Sequence, residues 1–160
     1  MFTVISILLV IFFLLMNAFF VIAEFALVRV RKSQIELAVE EKKPGARAAK
    51  KIAENINAYL SACQLGITLA SLAIGWLGEP AVSAVLEMPL LAAGLPESTI
   101  YPICVGVGFF IVTTLHVVVG ELIPKSFAIF STEKYALATA GPLAFFYKIT
   151  YPFMWLFNGI

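Results

Sequence analysis

Aspartate is absent from this chain, histidine occurs once (His116) and cysteine twice (Cys63, Cys104) among 160 residues. With a single His, no Asp and no H-E-x-x-H motif, there are too few catalytic groups for an intramembrane protease, and no enzyme activity is expected. Both cysteines lie in apolar segments, where a buried thiol acts as a small hydrophobe; a disulfide or a metal pair is the alternative. Charge is scarce too, at 13% of residues against about 25% in a soluble domain, while 61% are hydrophobic and the mean hydropathy is +0.97. That excludes a soluble domain and makes the chain an integral membrane protein. The first apolar run also lacks what a signal peptide needs. It has no basic n-region, its apolar part from Phe2 to Ala23 exceeds an h-region, and no A-x-A site precedes the basic segment. A retained helix is expected there.

What is present is apolar length. A crossing takes about 20 helical residues, and three segments supply it: about 2–28, about 56–77, and a third from Thr99 to at least Val119, continuing to about 130. Between the first two, residues 29–54 hold eight Lys and Arg against four Glu, a net of +4. The stretch 76–98 holds Glu79, Glu87 and Glu97 with no Lys or Arg. By the positive-inside rule the basic segment is cytoplasmic, so the N-terminus and an acidic 78–98 loop lie outside and the third crossing ends inside. The basic segment reads as a helical hairpin over 31–55. Ser33 is placed to cap its first helix with Glu36 at the third position, Pro44-Gly45 makes the turn, and a second helix starts at Ala46. A specific anionic-lipid site is the alternative use of this charge.

The segment 134–160 is apolar enough to span but carries Pro142, Pro152 and, near its middle, Lys148. Tyr147, Tyr151 and Trp155 fall at i, i+4, i+8, a stripe of residues that favour the membrane interface. Crossing would place Lys148 near mid-bilayer at about +3 kcal/mol. An interfacial helix lets the ammonium reach water, and that placement is favoured. The chain stops at "FNGI" without a polar tail, as expected of a piece of a longer protein.

Each crossing carries polar groups at helical spacing. Asn17 and Glu24 are seven apart on the first. Ser61, Gln64, Thr68 and Ser71 form a 3-4-3 stripe on the second, and Thr113, Thr114, His116 and Glu121 lie on the third, which ends in "GELIPK" with Gly120 and Pro124. Helix-to-helix glue is one use for hydroxyls and amides, a snorkelling surface carboxylate one for Glu24, and pairing with Lys125 at i, i+4 one for Glu121. Against these, intramembrane ionisable residues mark ion or substrate paths. Proline also frees a carbonyl one turn upstream, which can serve as a ligand where it lines a cavity. Carboxylate, amide and hydroxyl oxygens suit a hard cation such as Mg²⁺, Ca²⁺ or Na⁺ rather than zinc or copper.

The runs "NAFFVIAEFALVRVRKSQI", "NAYLSACQLGITLASLAIGWLGEPAV" and "HVVVGELIPKSFAI" resemble, in the same order and over nearly the whole chain, the transmembrane module of the CorB/CorC and cyclin M (CNNM) family of magnesium transport proteins. The bacterial CorC branch fits best through Glu24, Gln64 and Thr68. The resemblance implies an all-α membrane protein with three spanning helices, a cytoplasmic hairpin and an interfacial juxtamembrane helix. It also implies a homodimer in the bacterial inner membrane with a cytoplasmic C-terminus, contacts with membrane lipid, and no nucleic-acid partner. CBS and CorC-type domains would follow residue 160, with nucleotide acting only through the CBS pair. The implied activity is Mg²⁺ export driven by Na⁺ entry, with the ion held among the helices in a cavity open to the cytoplasm. Carried onto this sequence, Glu121 supplies negative charge and Asn17, Gln64 and Thr68 supply neutral oxygens. Glu24 and His116 stand nearby, and Gly120-Pro124 supply a hinge or exposed carbonyls. The alternative is a Mg²⁺-sensing membrane protein that controls another transporter.

Overall fold

The computed structural model describes residues 2–158, which are helical almost throughout and, among those residues, contain no strand. Helix α1 spans Phe2–Arg29, α2 Lys32–Glu40, α3 Ala46–Glu54, α4 Ile56–Ala92 and α5 Glu97–Leu115. A π-helical segment, His116–Leu122, joins α5 to α6 (Ile123–Phe130), and α7 covers Thr132–Asn158. Among the described residues three helical runs are long and apolar enough to cross a membrane: Thr3–Arg29, Ile56–Ala92 and Glu97–Phe130. The chain is an all-α, multi-pass membrane protein.

Helix α1 is the hub, packing on α4, α6, α7 and the π segment. Its contact face is made of small or flat residues. Ala23 and Ala26 are fully buried, and Phe20 lies so close over Gly66 of α4 that a methyl group there would collide with its ring. Further along, Gly78 of α4 leaves room for Val112 of α5 in the same way. Close approach through small residues is how helices associate where lipid is as apolar as leucine. The outward faces are apolar as well: Trp76, Phe109, Phe110 and Leu72 are exposed, as lipid-facing surfaces require. Gly108 of the glycine-rich "VGVGFF" run faces α4, whereas Gly106 meets nothing.

The basic segment forms the expected hairpin, with a difference in its cap. Arg31, not Ser33, precedes the first helical residue, and its N–H donates to the Gln34 side chain at 3.0 Å. The helix therefore starts two residues earlier than a Ser33 cap would allow, and Gln34 takes the role expected of Glu36. The turn holds Gly45 at φ +81, directly against the Leu137 carbonyl of α7. Lys43 ties the same turn to Glu133 at the start of α7, at 2.9 Å. Ile35, Ala38, Ala49 and Ile52 of the hairpin share one buried cluster with Ala136, Leu137, Ala140 and Leu143 of α7. The hairpin, α7 and the near end of α1 are one packed body.

A second difference concerns residues 78–98. The acidic loop expected there is helical as far as Ala92, through Pro80 and Pro89, and only residues 93–96 connect to α5. Proline costs a helix one N–H bond at each site, and Glu79 stands beside the first of them. Its carboxylate accepts a hydrogen bond from Ser83, one turn on, at 2.7 Å. The apolar residues on either side continue the packing of α4 against α5. Both cysteines are free and buried.

Candidate cation site

An α-helix through Pro124 would need the N–H of residue 124 to bond the carbonyl of residue 120. Proline has no such hydrogen, and the chain responds by widening. Residues 116–122 are π-helical, and the Ile123 N–H returns to the Val118 carbonyl, five residues back. The Gly120 carbonyl finds its partner on another helix. Asn17 of α1, completely buried, donates its side-chain amide to it at 3.0 Å. Gly120 must be glycine for this approach, since a Cβ would lie 2.9 Å from the Asn17 nitrogen and 3.0 Å from the His116 ring.

The other end of the Asn17 amide faces α4. The Ser71 hydroxyl lies 3.5 Å from Asn17 Oδ1 and 3.2 Å from His116 Nε2. A hydroxyl has one hydrogen to give. If Ser71 donates it to Asn17, His116 must carry its proton on Nε2. The donors then run in one direction, from His116 to Ser71 to Asn17 to the Gly120 carbonyl. Three chain segments remote in sequence meet in this knot, and no buried side-chain polar atom among the described residues lacks a partner.

The neighbouring carboxylate is engaged elsewhere. Glu121 accepts a hydrogen bond from Lys125 at 3.1 Å, one turn along the same helix, with about a third of each side chain exposed. The Lys125 ammonium also sits 5.4 Å above the Phe25 ring, and its charge bears on Glu24 of α1, which is half-buried. One lysine thus serves two carboxylates at the mouth of the site, paired with Glu121 and offsetting only part of their charge.

A family model described as "Cyclin M transmembrane N-terminal domain" matches residues 8–160. The chain belongs to the cyclin M family. It is 48% identical over 143 residues to UPF0053 protein YugS of Bacillus subtilis (strain 168), an alignment covering 89% of this chain and 33% of the relative. It is 41% identical over 157 residues to UPF0053 protein YrkA of the same organism, covering 98% of this chain and 36% of that one. The chain therefore spans about a third of the length of these curated relatives.

Within this cyclin M domain, the residues picked from sequence fall into three groups. Asn17, His116 and Gly120 come together, and Pro124, one turn after Gly120, is buried. Glu121 and Glu24 lie around Lys125. Gln64 and Thr68 are exposed on α4, and the Thr68 hydroxyl is turned back to the Gln64 carbonyl at 2.8 Å, so neither side chain bonds to the knot. From sequence, Ser71 belongs to the α4 stripe but not to the implied ligand set, and Lys125 enters only as a partner for Glu121. The signal for Ser71 was its spacing, seven residues after Gln64 on the same stripe. Among the described residues no three His, Cys, Asp or Glu side chains converge. The oxygens on offer are those of an amide, a hydroxyl and a main-chain carbonyl, with one carboxylate next in sequence. That donor set fits a hard cation.

Proposed function

We propose that this domain is the membrane module of a bacterial Mg²⁺ exporter driven by Na⁺ entry, and that the ion passes through the Asn17–Ser71–Gly120 knot. The observation that carries the proposal is the Gly120 carbonyl, near the end of the π-helical segment and one turn before Pro124, accepting from a fully buried amide on α1. Mg²⁺ demands near-octahedral oxygen geometry at about 2.1 Å and gives up water reluctantly. Asn17 Oδ1, Ser71 Oγ and the Gly120 carbonyl would replace part of its hydration, and Glu121 would supply charge once it leaves Lys125. The π segment gives the third crossing a place to change its winding, since such segments break the regular ladder and are frequent at functional sites. Gln64 and Thr68 are exposed and make no bond to the knot in this state, so they enter this scheme only if α4 rotates. No bond is made or broken in this activity.

The basic hairpin marks the cytoplasmic side. The regulatory domains of the full-length protein would attach after α7, which lies at the interface. Supporting that placement, Lys148 shares a cavity with Lys51, Glu54 and Asn55 of the polar hairpin end. The direct test is isothermal titration of the detergent-solubilised domain with Mg²⁺. Wild type binds; Asn17→Ala and Glu121→Ala do not, while both variants stay monodisperse. Equal binding by those variants would remove the site. Flux through proteoliposomes of the full-length protein then separates a transporter from a sensor, for which binding persists without flux.

A further inference from the structure

A cavity of about 560 Å³ opens where the end of α3 and the first turns of α4 face α7. Its walls include Lys51 and Glu54 from α3, Tyr59 from α4, and Tyr147, Lys148 and Tyr151 from α7. Among the described residues the ion pairs belong to Lys43 and Lys125, so neither Lys51 nor Lys148 is neutralised by a carboxylate, Glu54 included. Two ammonium groups against one carboxylate leave the lining at +1, within a stretch, residues 29–54, whose net charge is +4.

The tyrosines form a continuous wall. Tyr59 and Tyr147 lie 4.4 Å apart between ring centroids, and Tyr151 meets Tyr147 edge-on at 5.8 Å. Such rings settle at the level of lipid headgroups, apolar on one side and wet on the other. The depth is independently marked by the chain itself, because the second crossing starts at Ile56, between Lys51 and Tyr59. A cavity of this volume is within the roughly 300–1,000 Å³ typical of small-molecule sites.

We infer that this cavity binds the phosphate headgroup of an anionic membrane lipid, held between Lys51 and Lys148, with its glycerol against the tyrosine wall. The occupant is a lipid rather than free phosphate because the site is at the membrane boundary and three tyrosines line one side of it. The site is independent of the cation knot, and bound lipid would clamp α7 to the hairpin.

Native mass spectrometry of the purified chain, equilibrated with equimolar phosphatidylglycerol and phosphatidylcholine, tests this. Wild type retains phosphatidylglycerol in preference by about fivefold or more, the equivalent of one lysine's attraction at an anionic surface. The Lys51→Gln/Lys148→Gln variant loses the preference. A charge-matched Lys32→Gln/Arg47→Gln variant, altered outside the cavity, keeps it. All four side chains are exposed, so unchanged melting temperatures verify that each variant is folded. Equal loss in both variants overturns the site in favour of diffuse attraction, and no preference in wild type overturns it outright. Displacement of phosphatidylglycerol by millimolar inorganic phosphate overturns the lipid assignment in favour of a free anion.

Discussion

Asn17 and Gly120 stand 103 residues apart in the chain and 3.0 Å apart in space, the amide of one donating to the carbonyl of the other. In an α-helical register that carbonyl would take the N–H of residue 124, which Pro124 does not have. Asn17 and Pro124 are therefore energetically coupled, although neither needs to touch the other. Asn17→Ala leaves a buried carbonyl unsatisfied, at about 1–3 kcal/mol. Pro124→Ala restores the N–H that Gly120 lacks. We predict that Asn17→Ala/Pro124→Ala melts higher than Asn17→Ala alone, with a coupling of about 1 kcal/mol in the double-mutant cycle. Additive losses would mean that the carbonyl is satisfied by another route.

The competition at Glu121 gives a prediction of opposite sign. Lys125 holds the carboxylate that the proposed ion needs. Replacing it with Gln frees Glu121 and removes a positive charge from the mouth of the site. A partly exposed ion pair is worth up to about 1 kcal/mol, so Lys125→Gln should bind Mg²⁺ about fivefold more tightly in calorimetry. Weaker binding would mean that Lys125 supports the site instead of competing for it.

The coarse architecture was legible in the sequence for simple reasons. Apolar length specifies a crossing, and the Pro44-Gly45 pair specifies a hairpin turn. Asn17 and Gly120 could be singled out because a lone amide in an apolar run and a proline four residues after a glycine each signal an unmet backbone or side-chain bond. Their pairing could not be read, since it depends on the rotation of α1 against the third crossing. Rotation also decided Gln64 and Thr68. They share a stripe with Ser71, yet Ser71 points at the knot and Thr68 bonds back to its own helix. The helical extension over 78–92 was hidden because its charge pattern marks a side of the membrane and not a backbone conformation, while packing against α5 carries the helix through Pro80 and Pro89.

Two glycines with nearly the same backbone angle separate conformational strain from packing. Gly45 has φ +81 and faces the Leu137 carbonyl; Gly94 has φ +79 and faces open space. Each alanine substitution carries the left-handed backbone cost of about 1–2 kcal/mol. Gly45→Ala adds a collision with main chain that only moving α7 can relieve. Gly45→Ala should therefore lower the melting temperature clearly more than Gly94→Ala does. Similar shifts would mean that the hairpin is not held against α7 in solution.

Lys43 links the same turn to Glu133, and its hydrogen bonds to Glu41 and Glu133 raise its pKa above the ordinary 10.5. A group raised on folding contributes fully below its unfolded pKa and loses that contribution as pH climbs through the folded one. The difference in melting temperature between wild type and Lys43→Met should accordingly be constant from neutral pH to about 10 and shrink only above that. A difference that fades between pH 7 and 9 would contradict the pairing.

The membrane orientation can be tested with the chain's own quiet background. Cys63 and Cys104 are both buried, so an impermeant maleimide should leave wild type unlabelled in intact cells. Ser98 and Lys134 are exposed at opposite ends of the third apolar run, just inside its start and just past its end at Phe130. With the basic hairpin inside, Ser98→Cys should react in intact cells and Lys134→Cys only after permeabilisation. The reverse pattern would turn the molecule over, placing the Glu121–Lys125 mouth on the outer face. Mg²⁺ would then reach the knot from outside first, and the charge excess of residues 29–54 would need an explanation other than retention on the cytoplasmic side.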